Sequence, residues 1–367
     1  MRKIRVLIVD DSVVIRRLLS GILEQDPEIE VVGTAANGSI ALAKLPQVTP
    51  DLVTMDVEMP VMDGLATVAE LRKAYPKLPV IMFSTLTERG AIATFDALAR
   101  GANDYVAKPA NVGSVAAGME SVKSELIPRI KALCPFHQSS GHSAVPAVRP
   151  VGRVTTQSRC DAVVIGSSTG GPQALSSILS KLPGDFPAPI IIVQHMPPVF
   201  TKHLANRLNQ ECRLSVCEAE SGEAVESGKV FIAPGGLHLE IQRQGTAVRT
   251  KLTESPPENS CRPAVDVLFR SAAKVYGGNL LAVVLTGMGQ DGKRGAEAIT
   301  GVGGTVIAQD EASSVVWGMP RAVTEAGLAS IVVSLNGVPS ELVRIVSRQN
   351  RRTLAGMTSP HCLTPQD

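Results

Sequence analysis

Aromatic side chains are scarce: seven Phe, three Tyr and one Trp make up 3% of the 367 residues. Proteins that grip single-stranded nucleic acid stack bases on such rings along a basic groove, and a concentrated basic face is missing too. Net charge is only +2. Residues 1–125 hold 13 Lys/Arg against 16 Asp/Glu, and residues 161–367 hold 18 of each sign. Only the short stretch 126–160 is one-sided, with five Lys/Arg and no acid. Nucleic acid is therefore not an expected partner. No apolar run approaches the ~18 residues that a membrane-spanning helix needs, so no membrane insertion is expected. The opening MRKIRVLIVDD meets acids within ten residues and has no small-residue cleavage site, so a signal peptide is not expected. The six cysteines (Cys134, Cys160, Cys212, Cys217, Cys261 and Cys362) form no CxxC pair. That speaks against a zinc site or disulfide frame and for reduced thiols in the cytoplasm.

What is present is apolar enough to fold. Hydrophobic residues reach 44% and charged residues 19%, which excludes global disorder, and the length suggests two or three domains. IRVLIVD, EVVGTA, DLVTMDV, PVIMFS and DYVAK read as five doubly buried strands. Amphipathic segments separate them, such as Ser12 to Glu24 with Ile15, Leu18, Leu19 and Ile22 at helical spacing. This alternation predicts a parallel sheet with right-handed crossovers over residues 1–125. Residues 126–158 are assigned to a linker; the texture turns Pro-, Gly-, Ser- and Thr-rich at about Leu133. A second α/β block is expected over 159–352, with strands DAVVIG, APIIIVQH, LLAVVLTG, GTVIAQ and SIVVS. KVFIAPGGLHLEIQRQGTAVRT reads as an antiparallel insertion. Residues 353–367 read as a disordered tail. No internal repeat is found.

In a parallel α/β sheet, ligands collect beyond the carboxyl ends of the strands. Asp10 and Asp11 end the first strand, Asp56 the third, Ser84 the fourth and Lys108, followed by Pro109, the fifth. Taken singly, Asp11 or Ser12 is an ordinary helix cap. Together, three carboxylates invite a hard divalent cation, normally Mg²⁺. A lysine and a hydroxyl opposite can bind phosphoryl oxygens, and Asp56 can serve as the nucleophile that forms an acyl phosphate. A flavodoxin-like nucleotide binder is the structural competitor, but it has no need of the carboxylates.

In the second block, GSSTGGP follows a strand and opens a helix. Gly166-x-Ser168-x-Gly170 matches the turn that presents a nucleophilic serine at a helix amino terminus. The same turn could cradle a phosphate. His195 ends the strand PIIIVQ, and Asp291 lies in the loop after LLAVVLTGMGQ. All three thus sit beyond strand ends of one expected sheet, which permits a Ser–His–Asp relay with His195 as base and Asp291 orienting it. The order Ser, His, Asp disfavours the common α/β-hydrolases. His203, inside a helical pattern, and His238, in the insertion, are the rival bases.

The DD, D, S and KP residues, with VEMPVMDG after Asp56, resemble the receiver domain of two-component response regulators over residues 4–125. The resemblance implies that Asp10, Asp11 and Asp56 bind Mg²⁺, Asp56 is phosphorylated, Ser84 and Lys108 sense the phosphoryl group, and Tyr105 is the aromatic switch. GSSTGGP, VQHMPPVFT, FIAPGGLHLE, CRPAVDVLFRSAA and LTGMGQDG, in this order, resemble the catalytic domain of chemotaxis protein-glutamate methylesterases, the CheB family. This implies a triad of Ser168, His195 and Asp291, with the backbone N–H of Met288 as oxyanion donor. It also implies hydrolysis of glutamate methyl esters, and deamidation of glutamines, on chemoreceptor cytoplasmic helices. Expected partners are methylated receptors and a chemotaxis histidine kinase as phosphoryl donor. No cofactor is expected for hydrolysis, and a monomer is expected. Two other readings stay open: an adaptor that only recognises methylated helices, and a receiver-regulated esterase of small molecules.

Overall fold

Short apolar runs that end in an acid, a hydroxyl or a lysine build the first sheet. The computed structural model describes residues 2–108, 115–134 and 160–346. Strands β1 (Ile4–Val9), β2 (Ile29–Ala35), β3 (Leu52–Asp56), β4 (Val80–Ser84) and β5 (Asp104–Ala107) pair in parallel in the order β2-β1-β3-β4-β5. β3 and β4 are buried along their whole length, as strands covered on both faces must be. Helices α1 (Val13–Leu23), α2 (Gly38–Val48), α3 (Gly64–Ala74), α4 (Glu88–Ala99) and α5 (Val115–Leu133) surround the sheet. Ser12, Asn37, Asp63 and Thr87 cap the first four, each accepting a backbone N–H three residues on.

The expected boundary at residue 125 is displaced. α5 runs through to Leu133, and Leu126, Ile127, Ile130 and Leu133 continue a helical spacing into the core of this domain. The linker therefore does not begin at 126; the change of texture at Leu133 marks the helix end better than the chosen boundary. The rest of that segment, 135–159, and the tail 353–367 lie outside the described residues.

The second sheet contains β6 (Ala162–Ser167), β7 (Ile190–Gln194), β8 (Ser215–Glu218), β9 (Lys229–Ile232), β12 (Leu280–Val284), β13 (Thr305–Gln309) and β14 (Ile331–Val333). The order is β14-β13-β12-β6-β7-β9-β8, and every pair is parallel. Around it lie α6 (Gly171–Leu179), α7 (Phe200–Glu211), α8 (Val265–Tyr276), α9 (Lys293–Gly301) and α10 (Met319–Glu325). The expected antiparallel insertion is smaller than KVFIAPGGLHLEIQRQGTAVRT: KVFI joins the main sheet as β9. Only the hairpin of β10 (His238–Gln244) and β11 (Ala247–Thr253) is antiparallel. From β6 the chain moves to β7, passes to the edge strand β8, comes back to insert β9 between β7 and β8, and later returns to place β12 on the other side of β6. The sheet thus changes direction between β6 and β12, where doubly wound folds open a crevice.

The two sheets meet along a seam. Tyr105 of β5 stacks on Phe200 of α7 with ring centres 4.7 Å apart and planes 2° from parallel. Phe95 of α4 lies 6.2 Å from the same ring. Gln173 of α6 donates to the carbonyls of Leu98 and Ala102, at 3.3 and 2.9 Å, and Arg207 pairs with Asp96 at 3.1 Å. No helix among the described residues is long and apolar enough to cross a membrane.

Candidate active site and receiver pocket

Strand ends deliver the acidic pocket. Asp10 follows β1 and Asp56 closes β3, both buried, while Asp11 beside them is exposed. Lys108, just past β5, reaches Asp10 Oδ2 at 2.9 Å and Asp56 Oδ1 at 2.8 Å. Burial pushes the Asp56 carboxyl up to about 6, against the opposing pull of Lys108, and Asp10 adds repulsion. Gly64, in the MDG stretch, is required by close approach: a Cβ there would stand 2.1 Å from the Asp56 carbonyl oxygen. One carboxylate oxygen from each of Asp10, Asp11 and Asp56 can lie within 4.8 Å of the others. An all-oxygen, anionic donor set of that size suits a small hard cation. Ser84 is buried at the end of β4 and donates to the carbonyl of Gly90 at 3.1 Å. Tyr105 is buried in the seam.

The second site grows from three adjacent strands, β7, β6 and β12. After β6 the chain turns sharply through Ser168, Thr169 and Gly170, the last at φ +76°. Ser168 N–H donates to the Thr286 carbonyl at 3.0 Å, and Gln194 Nε2 donates to the Ser168 carbonyl at 2.9 Å. The turn is thereby pinned from both neighbouring strands. His195 follows β7, and its Nε2 lies 2.7 Å from Asp291 Oδ2. Burial opposes the imidazolium, but the bonds to Asp291 and Cys261 outweigh it and push His195 up to about 10. The same contact holds Asp291 below its ordinary value despite its burial. Gly287, after β12, packs so closely that a Cβ would stand 2.8 Å from the Ser168 Cβ. This close approach sets the Thr286–Met288 backbone beside the serine.

The expected residues are not all joined. Among the described residues no hydrogen bond links Ser168 Oγ to His195. The remaining ring nitrogen, Nδ1, faces the Cys261 thiol at 3.5 Å. Ser168 and His195 line one cavity together with Asn103, Asp104, Tyr105 and Arg129 of the first domain, and it measures only about 10 Å³. That holds one water at most and no ester side chain. Across it Thr169 donates to the buried Asp104 at 2.7 Å, and Arg129 pairs with the same carboxylate at 3.1 Å. Of the rival histidines, His238 is fully buried: its Nε2 lies 3.1 Å from the Pro256 carbonyl, and its Nδ1 accepts from Ala264 N–H. His203 lies within α7.

Sequence reasoning did not single out Gln194, Asn259, Cys261 or Asp266. Gln194 directly precedes the chosen histidine, and the other three lie in or beside CRPAVD. That motif is present in the sequence, but its roles are visible only once the chain is folded.

Two family models match the chain, one in each domain. Residues 6–119 match the family model described as the response regulator receiver domain, and 163–342 match that described as CheB methylesterase. The chain is 52% identical over 349 residues to a protein-glutamate methylesterase/protein-glutamine glutaminase of Trichodesmium erythraeum, covering 94% of this chain and 99% of that one. A protein of the same name from a Nocardioides species is 54% identical over 356 residues, covering 95% and 97%. The solved CheB methylesterase catalytic domain of Thermotoga maritima is similar to 51% of this chain and 99% of its own, at 49% identity and a TM-score of 0.50.

Proposed function

The chain belongs to the CheB methylesterase family, and we propose that Ser168, His195 and Asp291 carry its hydrolysis while Asp56 controls it. The enzyme removes methyl esters from glutamates, and amide groups from glutamines, on the cytoplasmic helices of chemoreceptors. The observation that carries the mechanism is the 2.7 Å His195–Asp291 contact beside the serine turn, at neighbouring strand ends. His195 uses Nδ1 as the base, since Nε2 is held by Asp291. It takes the Ser168 proton as Oγ attacks the side-chain carbonyl. The oxyanion is met by backbone N–H groups, with that of Met288 the candidate beside Ser168. His195 gives the proton to the departing methoxide, or to the departing amide nitrogen of glutamine, so that methanol or ammonia leaves. It then takes a proton from the water that attacks the acyl-enzyme and returns it to Ser168 Oγ as glutamate is released.

For this cycle His195 must be neutral, with Nδ1 free of its proton and turned from the Cys261 thiol to Ser168, and a receptor helix must reach a cavity that the receiver now fills. Phosphorylation can open the site only if it favours the released arrangement over the docked one. Asp10, Asp11 and Asp56 would hold Mg²⁺, which neutralises charge around an incoming phosphoryl group. Lys108 supplies a fixed positive charge beside Asp56. The phosphoryl donor is a chemotaxis histidine kinase and the setting the cytoplasm. The test is methanol release from methylated receptors, with and without a phosphoryl donor. Release that depends on Ser168 and rises with the donor is expected; release indifferent to Ser168→Ala would overturn the serine mechanism.

A further inference from the structure

The segment before α8 makes a tight two-residue turn. Glu258 N–H bonds the Cys261 carbonyl at 3.1 Å and Cys261 N–H returns to Glu258 at 2.9 Å. Between them Asn259 and Ser260 both have positive φ, +52° and +62°. That pair of values belongs to a type I′ turn, which favours Asn and Gly. Glu258 clamps the turn to α8 through both of its oxygens, at 2.7 and 2.6 Å from Arg270. The turn touches the relay twice. Cys261 meets His195 Nδ1, and Asn259 Nδ2 donates to Asp291 Oδ1 and to Asp266 Oδ2, each at 2.9 Å.

Asp266 is nearly fully buried and belongs to the support of that same acid. Its Oδ1 accepts from Gly292 and Gly295 N–H, at 2.9 and 2.7 Å. It thereby caps α9, whose own N-cap, Gly292, has no side chain to do so. Asp266 thus anchors the turn that carries Asp291, while the backbone N–H groups of Val265 and Asp266 bond Asp291 directly, at 2.7 and 3.0 Å. Two buried carboxylates stand here with one side-chain amide between them. A neutral double donor offsets part of the repulsion between two carboxylates that both face inward.

We propose that Asn259 is a positioning residue for the hydrolase: its amide holds the Asp291 carboxylate, charged and correctly turned, against the Asp266 anchor. The inference rests on the Ser168–His195–Asp291 reading. Without the amide, Asp266 and Asp291 repel, and the pair retains a proton more readily. His195 then loses part of its counter-charge, so its imidazolium weakens and its orientation loosens. The other ionisable groups around it are Cys261 and the Glu258–Arg270 pair.

Asn259→Gly separates amide from backbone, because glycine takes positive φ without strain. In the full chain with phosphoryl donor, acting on methylated receptors, we expect kcat to fall on the order of 10–100-fold with KM little changed. The acidic limb of the pH profile should move to lower pH. Asn259→Asp, which keeps a residue tolerant of the turn but supplies no donor, should lose more. A thermal melt records that each variant is folded. An Asn259→Gly rate within about twofold of the parent, or a loss with the limb unmoved, overturns the positioning role. Asp291→Asn runs in parallel: if it stays active, the relay itself is wrong; if it is dead while Asn259→Gly is normal, only this inference fails.

Discussion

Ser168, His238 and Asp56 illustrate three different uses of a polar side chain. Among the described residues Ser168 Oγ makes no hydrogen bond, so Ser168→Ala should lose roughly 10⁴-fold or more in turnover with its melting temperature kept. Methanol release and a melt on the same sample check both halves. His238 is the reverse: buried and bonded through both nitrogens to backbone. His238→Ala should lose about 1–3 kcal/mol of stability, from unpaired buried groups, yet keep most activity wherever it stays folded. His203→Ala should be close to the parent in both. Asp56 links to pH. Its folded value of about 6 lies above the ordinary 3.8, so between these values the folded chain holds a proton that the unfolded chain releases. Stability contributed by this group therefore falls as pH rises through that window. Asp56→Asn has no such proton, so its melting temperature should gain on the parent's from pH 4 to 6 and level off above. A constant gap across those pH values would contradict the assignment.

At the scale of elements, the strands were the most legible part. Long apolar runs such as IRVLIV and LLAVV can only be doubly buried strands or short buried helices, and their flanking acids and glycines decide for strands. β8, with four residues and an exposed first position, carries too little hydrophobicity to stand out. KVFI was read with the hairpin because a Gly-rich turn follows it; pairing with β7 is a long-range choice that local pattern does not encode. Ser168 and His195 stand out in the sequence because each directly follows a strand, and Asp291 because it lies in the loop after another. Asn259 and Cys261 do not, because ENSC lacks the Asn-Gly pair that announces such a turn. The seam between elements gives its own prediction. Tyr105→Leu keeps an apolar group against Phe200 but removes the stacked ring, a contact worth about 0.5–1.5 kcal/mol. Unphosphorylated activity should rise roughly 2–10-fold, read as methanol release without phosphoryl donor. An unchanged rate would mean that the stack does not hold the site shut.

For the whole molecule, Asp104, Tyr105 and Arg129 of the receiver form one wall of the Ser168 cavity. Residues 159–367 alone should therefore outpace the unphosphorylated full chain on the same receptors, and phosphorylation should narrow the gap. Equal rates would show that the wall does not inhibit. The Thermotoga maritima catalytic domain, solved alone, supports such a fragment as a folding unit. The seam itself is not tightly filled: Phe95, Leu98, Pro172, Leu204 and Leu208 border a cavity of about 290 Å³ between the two domains. A contact bordered by such a groove need not be strong, because both halves sit on one polypeptide. Covalent linkage supplies an effective concentration on the order of millimolar, so even a feeble intrinsic affinity keeps the receiver home. Closure is then a first-order event, indifferent to how many copies a cell contains. Dilution will not activate the enzyme, and a detached receiver added in solution will need near-millimolar amounts to restore the block.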